Sequence, residues 1–581
     1  MKMFLNVRLQ GFFYAFTILF FIAITTKAQS GKEEINPYRY EITKYSTGSK
    51  GAVVSAHPLA SQVGLNVLKA GGNAIDAAIA TQLALAVVYP GAGNIGGGGF
   101  LAACLENGKR IAIDYRETAP AAAHRDMYLD AQGNPMLNKS QNGHLAAGVP
   151  GTVAGLFVSH QYGKLPFKTL IEPAIRLAEL GFVITEAEAR SLNSNQNDFA
   201  KYNTVTPVFI KHSSWKAGDT LVQKDLAETL RRIRDNGAKG FYEGETAELI
   251  VNEMKRAGGI ISLEDLKNYK AKVRDVVEFP YKGHSIVSMP LPSSGGILLQ
   301  QMLYMMDGKN LAKMKYQSPE AIQLMTEVER RAFADRAEYM GDADWVKVPR
   351  KTLVSKAYLE EKMKDYKPGI NNESKNITAG RIAKESEETT HLSVADQWGN
   401  AVAVTTTLNG GYGSSTVVGG AGFLLNNEMD DFSVKPGVPN MYGALGSEAN
   451  AIAPGKRMLS SMTPTIVLKN NKPYLIIGTP GGTTIPTSVF QTIVNIIDFD
   501  LGIRDAVNNP KFHHQWLPDE IMVEKAFSPA TQDALKAMGY KIRIVGSIGR
   551  TEVIKITTGN SKKMKIEAVG DNRGDDDART Y

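Results

Sequence analysis

The stretch Glu388-Thr389-Thr390-His391-Leu392-Ser393 holds the residue types with the most specific chemical potential in this 581-residue chain. A cut between Glu388 and Thr389 would turn the threonine into a new N-terminus, with nucleophile and base on one residue. The hydroxyl attacks, and the freed α-amine, whose reference pKa is about 7.7–8.0, takes the proton. The nitrogen of an uncut peptide bond cannot do this. Taken alone, Thr389-Thr390 also reads as the start of an ordinary β-strand, because β-branched residues suit a pleated surface.

The residues that follow supply a geometric reason to prefer the chemical reading. Leu392 to Ala395 and Ala401 to Thr407 alternate with the period of a strand, and Asp396-Gln397-Trp398-Gly399-Asn400 forms a turn between them. A hairpin symmetric about Trp398 sets Thr407 opposite Thr389 on the same face, with Asn409 two residues further along that face. A register slip of one residue would destroy this pairing. Upstream, Lys351 to Glu388 is polar and broken by Pro368-Gly369, Asn371-Asn372 and Gly380, as expected of an exposed connection around a cut site.

Several polar motifs lie beside turns. Asn426-Asn427-Glu428-Met429-Asp430-Asp431-Phe432 offers three carboxylates to a cationic ammonium; calcium is the rival, but the alternating ligands and glycine of an EF-hand loop are missing. Ser460-Ser461 could donate two hydroxyl hydrogen bonds to a carboxylate. Gly478-Thr479-Pro480-Gly481-Gly482-Thr483-Thr484 follows a strand and can aim successive N–H groups at an oxyanion; a phosphate nest is the rival, and it lacks the lysine of a P-loop. Arg116, in Asp114-Tyr115-Arg116-Glu117, reads by itself as a surface ion pair with Glu117. Gly91 to Gly96 mimics a dinucleotide fingerprint but follows a helix and precedes a strand, which excludes that use. His513-His514 would face opposite ways on a strand, and no zinc-ligand spacing occurs, so no metal is expected.

These groups need a scaffold. Asn73 to Val88 is apolar nearly all round, the mark of a helix buried between layers. Phe100 to Cys104 and Arg110 to Tyr115 form a second hairpin through Asn107-Gly108. Ala147 to Val153 makes a tight turn into a helix. A charged amphipathic helix is expected over Ser318 to Met340, capped by Ser318 with Pro319 in its first turn. The region from about Phe182 to Lys282 reads as a lobe of short helices.

Lys2 and Arg8 precede an apolar run from Phe12 to Ile24, and Thr26-Lys27-Ala28 offers a small-residue cleavage site, so 1–28 is expected to be a secretory signal. The rival is a retained anchor, but the run is short for a membrane span. Cys104, the one cysteine, rules out an intrachain disulfide and reads as a small buried residue. Export without disulfides points to the periplasm or the medium. The net charge of +7 is not gathered into a basic stripe with exposed aromatics, which excludes nucleic acid as the expected partner.

Taken together, Asp114-Tyr115-Arg116-Glu117, Ala147-Gly148-Val149-Pro150-Gly151-Thr152, Thr389-Thr390-His391, the run Asn426 to Phe432, Ser460-Ser461-Met462 and Pro480-Gly481-Gly482 resemble gamma-glutamyltransferases in order from about Gly51 onward. The resemblance implies an α+β fold, a four-layer αββα sandwich of the N-terminal-nucleophile hydrolase type with a helical lobe from the large subunit. It implies a precursor cut into a large subunit, 29–388, and a small catalytic subunit, 389–581, which stay together as a heterodimer. Thr389 would attack the Glu388 carbonyl during maturation, then the γ-carbonyl of glutathione or a related γ-glutamyl compound, with Thr407 positioning its hydroxyl. Arg116, Ser460 and Ser461 would hold the substrate α-carboxylate; Asn409, Glu428 and Asp431 would hold the α-ammonium. Gly481 and Gly482 would stabilise the oxyanion, and Tyr442 would belong to a lid. The acyl group would pass to water or to an amino acid or dipeptide, without a cofactor. The chain departs from the pattern at Gly410-Gly411 after Asn409 and at Asp571-Asn572-Arg573-Gly574. Two alternatives remain: a glutaryl-cephalosporin acylase of the same fold, and a catalytically silent relative that binds γ-glutamyl compounds or amino acids.

Overall fold

The computed structural model describes residues 35–378, 389–558 and 564–581. The expected signal segment 1–28 and Glu388 lie outside them.

The threonine hairpin forms the middle of a seven-stranded antiparallel sheet. Its strands run in the order Asp577–Thr580, Ala52–Ser55, Thr390–Ala395, Ala401–Thr407, Gly98–Cys104, Arg110–Asp114 and Lys272–Arg274. Thr390 pairs with Thr406 and Ala395 with Ala401, the register expected about Trp398. The Asp396 carboxylate fixes the turn by accepting the N–H groups of Trp398 at 2.9 Å and Asn400 at 3.0 Å. It also accepts Ala74 N–H at 2.9 Å, which ties the hairpin to the first turn of the helix Ala74–Val88. That helix is buried along its whole length, and Asn73 and Asp76 close its start as a capping box.

A second seven-stranded antiparallel sheet packs against the first. Its order is Tyr45–Gly48, Met564–Val569, Glu552–Thr558, Lys472–Gly478, Thr465–Lys469, His284–Ser288 and Val277–Tyr281. Alternation along each strand builds the layers. Leu392, Val394, Val402 and Val404 face the helices Pro58–Lys69 and Ala74–Val88, whereas Ala395, Ala401 and Ala403 face Ile466, Ile476 and Ile554 of the second sheet. The helices Gly295–Met305, Pro319–Tyr339 and Thr484–Ile497 cover the far side of that sheet. The result is the expected αββα sandwich. Cys104 sits in the inter-sheet layer, where burial pushes its thiol up to about 12, so it is inert.

Two expectations are corrected. The helix Pro319–Tyr339 is capped by Ser318 as expected, but its charges are not on a solvated face. Glu327, Glu329, Arg330, Arg331 and Asp335 are all buried, because the chain 350–378 lies over them and contributes Leu353, Leu359 and Met363 to their core. Glu327 pairs with Arg330 and Arg331, and Lys362 pairs with Asp335. The helical lobe also ends earlier than Lys282, because Lys272–Arg274 and Val277–Tyr281 are edge strands of the two sheets.

The alanine-lined gap between the sheets holds one large polar ring, His391. Its Nδ1 lies 2.9 Å from Thr405 Oγ1 and its Nε2 lies 3.1 Å from Ser393 Oγ. Burial pulls the imidazole down to about 3, so it is neutral. The ring occupies space left by Gly478 on the facing sheet, where a Cβ would lie 2.2 Å from His391 Cε1. Gly478→Ala is therefore expected to force the sheets apart and to lower the urea midpoint by the equivalent of about 1–3 kcal/mol, the usual cost of overpacking. An unchanged midpoint would show that the gap is not close-packed.

Candidate active site

Thr389 is 4% exposed and opens the strand Thr390–Ala395, with Thr407 at the end of the neighbouring strand. Both line a pocket of about 320 Å³. Thr407 Oγ1 accepts the N–H of Asn409 at 2.7 Å. This bend needs the left-handed backbone of Asn409, φ 76°, a conformation asparagine tolerates better than most residues. Asn94 fixes the same corner by donating to Thr407 O at 2.8 Å and accepting Thr152 Oγ1 at 2.7 Å. The glycine run beneath it is a close approach: a Cβ on Gly97 would lie 2.1 Å from Thr407 O.

Arg116 is not on the surface. It is 1% exposed, and its guanidinium forms short ion pairs with Glu428 and Asp431, while Glu117 stands 3.7 Å away. Removal from water makes a surface reading of the Arg116–Glu117 pair untenable. Glu428–Asp431 is a 3₁₀ turn, and three residues per turn place Glu428 and Asp431 on one side. Asp430 points elsewhere. It accepts from Ser140 Oγ and from Met441 N–H, and burial pushes it up to about 7. Only two of the three carboxylates expected to receive an ammonium thus face the pocket. Burial pushes Glu428, Glu117 and Asp431 upward, and the positive charge of Arg116 opposes this in all three.

The remaining expected residues come from four loops. Ser460 and Ser461 line the pocket, and the Ser460 carbonyl accepts Ser294 N–H at 2.8 Å. Gly482 lines it too, while Gly481 lies just before it in the turn; both have positive φ, 131° and 52° for Gly481 and Gly482. The first turn of the helix Thr484–Ile497 follows, so the positive end of its dipole faces the pocket through Thr483 and Ile485. Tyr442 lies over Gly482, where a Cβ would meet its ring at 2.6 Å. The Tyr442 hydroxyl donates to the Asn409 carbonyl. The Asn409 side chain donates to Asn427 O at 3.0 Å.

Three contributors were not expected from sequence. Arg336 lines the pocket from the helix Pro319–Tyr339. Asn440 donates to Asp431 Oδ1 at 2.7 Å and accepts Tyr442 N–H at 2.9 Å, joining a pocket carboxylate to the loop above it. Asn94 supports Thr407 as described. The Asn-X-X-Gly spacing of Asn94 and Gly97 carried the one local signal, since Gly97 N–H donates to Asn94 Oδ1 at 3.0 Å.

The arrangement combines a hydroxyl, two cations and two carboxylates in one pocket. Removing Arg116 tests how the cluster is held. Arg116→Met removes the ion-pair partner of buried carboxyl groups, so their folded pKa values rise further above the unfolded range near 4. The stability of such groups is present at low pH and lost as pH rises through the folded values. The variant is expected to trail the wild type by about 3–5 kcal/mol at pH 8 and by clearly less at pH 5, read from urea midpoints. A deficit independent of pH would contradict this electrostatic account.

Comparison with known proteins gives a consistent set of relatives. The chain is 48% identical over 511 residues to the glutathione hydrolase proenzyme of Escherichia coli (strain K12), covering 87% of this chain and 88% of that protein. It is 35% identical over 508 residues to the acylase ACY 1 proenzyme of Pseudomonas sp. (strain SE83), covering 86% and 88%. The crystal structure of a cephalosporin acylase from Bacillus halodurans superposes with a TM-score of 0.81 at 26% identity, covering 95% of this chain and 99% of that one. The family description of gamma-glutamyltranspeptidase matches residues 60–581, and the chain belongs to the gamma-glutamyltranspeptidase family.

Proposed function

We propose that this protein is a self-processing γ-glutamyl hydrolase and transferase acting on glutathione and related γ-glutamyl compounds. The observation that carries the reading is the presence of Thr389 in one pocket with Arg116, Glu428 and Asp431. A γ-glutamyl donor presents an α-ammonium and an α-carboxylate at the end remote from its scissile amide. It can exchange the internal ion pairs for its own, with Arg116, Ser460 and Ser461 taking the carboxylate and Asn409, Glu428 and Asp431 the ammonium. That exchange keeps every buried charge paired.

Maturation begins when the Thr389 hydroxyl attacks the Glu388 carbonyl. Shift of the acyl group from nitrogen to oxygen and hydrolysis of the ester leave chains 29–388 and 389–581, the second with a free α-amine. In turnover that amine removes the hydroxyl proton as oxygen attacks the γ-carbonyl, and Thr407 steadies the hydroxyl. The Gly481 and Gly482 N–H groups receive the developing oxyanion. Collapse expels the amine of the leaving group, which takes the proton from the Thr389 ammonium, and the γ-glutamyl ester remains. Water or the amine of an amino acid or dipeptide then attacks the ester by the same proton route. Tyr442 covers the ester from bulk water. The two chains stay together as a heterodimer, because each contributes hydrogen-bonded strands to both sheets. Removal of 1–28 on export would deliver the enzyme to the periplasm or medium. Among the described residues no helix is long and apolar enough to cross a membrane.

A second reading, a cephalosporin acylase, is favoured by the two acylase relatives. A glutaryl group keeps a carboxylate but has no ammonium for Glu428 and Asp431. The hydrolysis of γ-glutamyl anilide is therefore expected to exceed that of glutaryl-cephalosporin by about tenfold or more in kcat/KM, the worth of one charge-assisted contact. The reverse order would favour the acylase.

N-terminal sequencing of the smaller band of purified protein is expected to begin at Thr389, and Thr389→Ala should remain one inactive chain. Activity in an uncut chain would end the proposal.

A further inference from the structure

Arg336 differs from the other cation of the pocket in what it touches. It is 6% exposed and reaches from the helix Pro319–Tyr339 to the wall of the pocket that Thr389 and Thr407 also line. Its Nε donates to Ser294 Oγ at 3.1 Å, and Ser294 Oγ donates to Ser460 O at 2.7 Å. Among the described residues, Nε has the one hydrogen-bond partner of this guanidinium, and no carboxylate forms an ion pair with it. Arg116, by contrast, is engaged by Glu428 and Asp431 and by the carbonyls of Met458 and Leu459.

The guanidinium is more than nine-tenths buried, it lines the pocket, and its charge is opposed at a distance by Asp431 without an ion pair between them. Burial lowers its pKa to about 10 while Asp431 raises it, so it stays cationic at neutral pH. The fork geometry of arginine suits a carboxylate. A donor α-carboxylate seated by Ser460 and Ser461 would lie beside the residue whose carbonyl Arg336 reaches through Ser294.

We propose that Arg336 is a second anchor for the donor α-carboxylate, facing Arg116 across it, and that this pair sets the requirement for a carboxylate on the substrate. The inference rests on the γ-glutamyl reading of the pocket. It assigns Arg336 a specificity role with no proton transfer.

The test uses three anilides with the processed full-length enzyme: γ-glutamyl, glutaryl, which lacks the ammonium, and 4-aminobutyryl, which lacks the carboxylate. Wild-type protein that fails to cleave the γ-glutamyl anilide overturns the donor reading itself, before any variant is made. With that activity present, Arg336→Gln is expected to lower kcat/KM for the two carboxylated substrates by about 10–100-fold, chiefly through KM, and to leave the 4-aminobutyryl value unchanged. Equal losses on all three substrates, or none, overturn the proposal. Should the glutamine variant not be cleaved, Arg336→Lys decides in the same way, with a smaller loss confined to the carboxylated pair as the expected result. Ser294→Ala breaks the link to Ser460 and keeps the cation, so it should preserve the preference for a carboxylate. A Ser294→Ala enzyme that loses this preference as fully as Arg336→Gln would show that Arg336 acts through Ser460 alone and would overturn the role assigned here.

Discussion

The buried contact of Arg116 with Glu428 and Asp431 constrains much of this molecule. Charges so far from water are stable only while paired, and removing either sign alone costs more than the pair contributes. The partners come from distant parts of the chain, Arg116 from the end of a strand in the first half and the carboxylates from a 3₁₀ turn beyond the nucleophile. Their meeting requires both sheets, the glycine run that lets Thr407 approach, and the loop of Ser460 to be in place together. A zwitterionic amino-acid group fits such a cluster because it brings one charge of each sign. A ligand with only one charge would leave part of the cluster unmatched.

Thr389 adds a second constraint. A terminal nucleophile must not fray, yet chain ends usually do. Here the strand it opens lies between Ala52–Ser55 and Ala401–Thr407, hydrogen-bonded on both sides. Pairing to Ala401–Thr407 reaches back to Thr390, one residue from Thr389, and pairing to Ala52–Ser55 starts at Leu392. Upstream, the chain is tied down as far as Ile377: Trp516 donates to the carbonyls of Ser374 and Ile377, and Asp519 accepts Ser374 N–H at 2.7 Å. Both the nucleophile strand and the approach to the proposed cut are therefore anchored to the second half of the chain.

The sequence made the hairpin legible because a period of two and a symmetric turn leave little freedom, and the pairing of Thr390 with Thr406 follows. The helix Ala74–Val88 was legible because no polar stripe interrupts it. Arg336 was not. On a helix rich in acidic and basic residues, one more arginine reads as part of a solvated face. What buries it is the pocket wall of Ser294, Asp431 and Ser460, brought there by long-range contacts with no local signal. The same limit applied to Arg116, whose nearest acidic neighbour in sequence, Glu117, is the most distant of its three partners in space. Asp430 and Asp431 are adjacent and chemically alike, so their opposite directions follow only once the turn is known to be 3₁₀.

That split has a consequence for the covering loop. Asp431 faces the pocket and accepts the Asn440 side-chain amide, whose Oδ1 accepts both Tyr442 N–H and Ala444 N–H. Asp430 faces away from the pocket, is fully buried, and accepts Met441 N–H and Ser140 Oγ. Successive residues of one turn therefore hold successive residues of the loop from its two sides. A ligand that draws Asp431 toward an ammonium must also pull on Asn440, and through it on the ring above Gly482. The carboxylate cluster and the ring over Gly482 are joined by two side-chain hydrogen bonds.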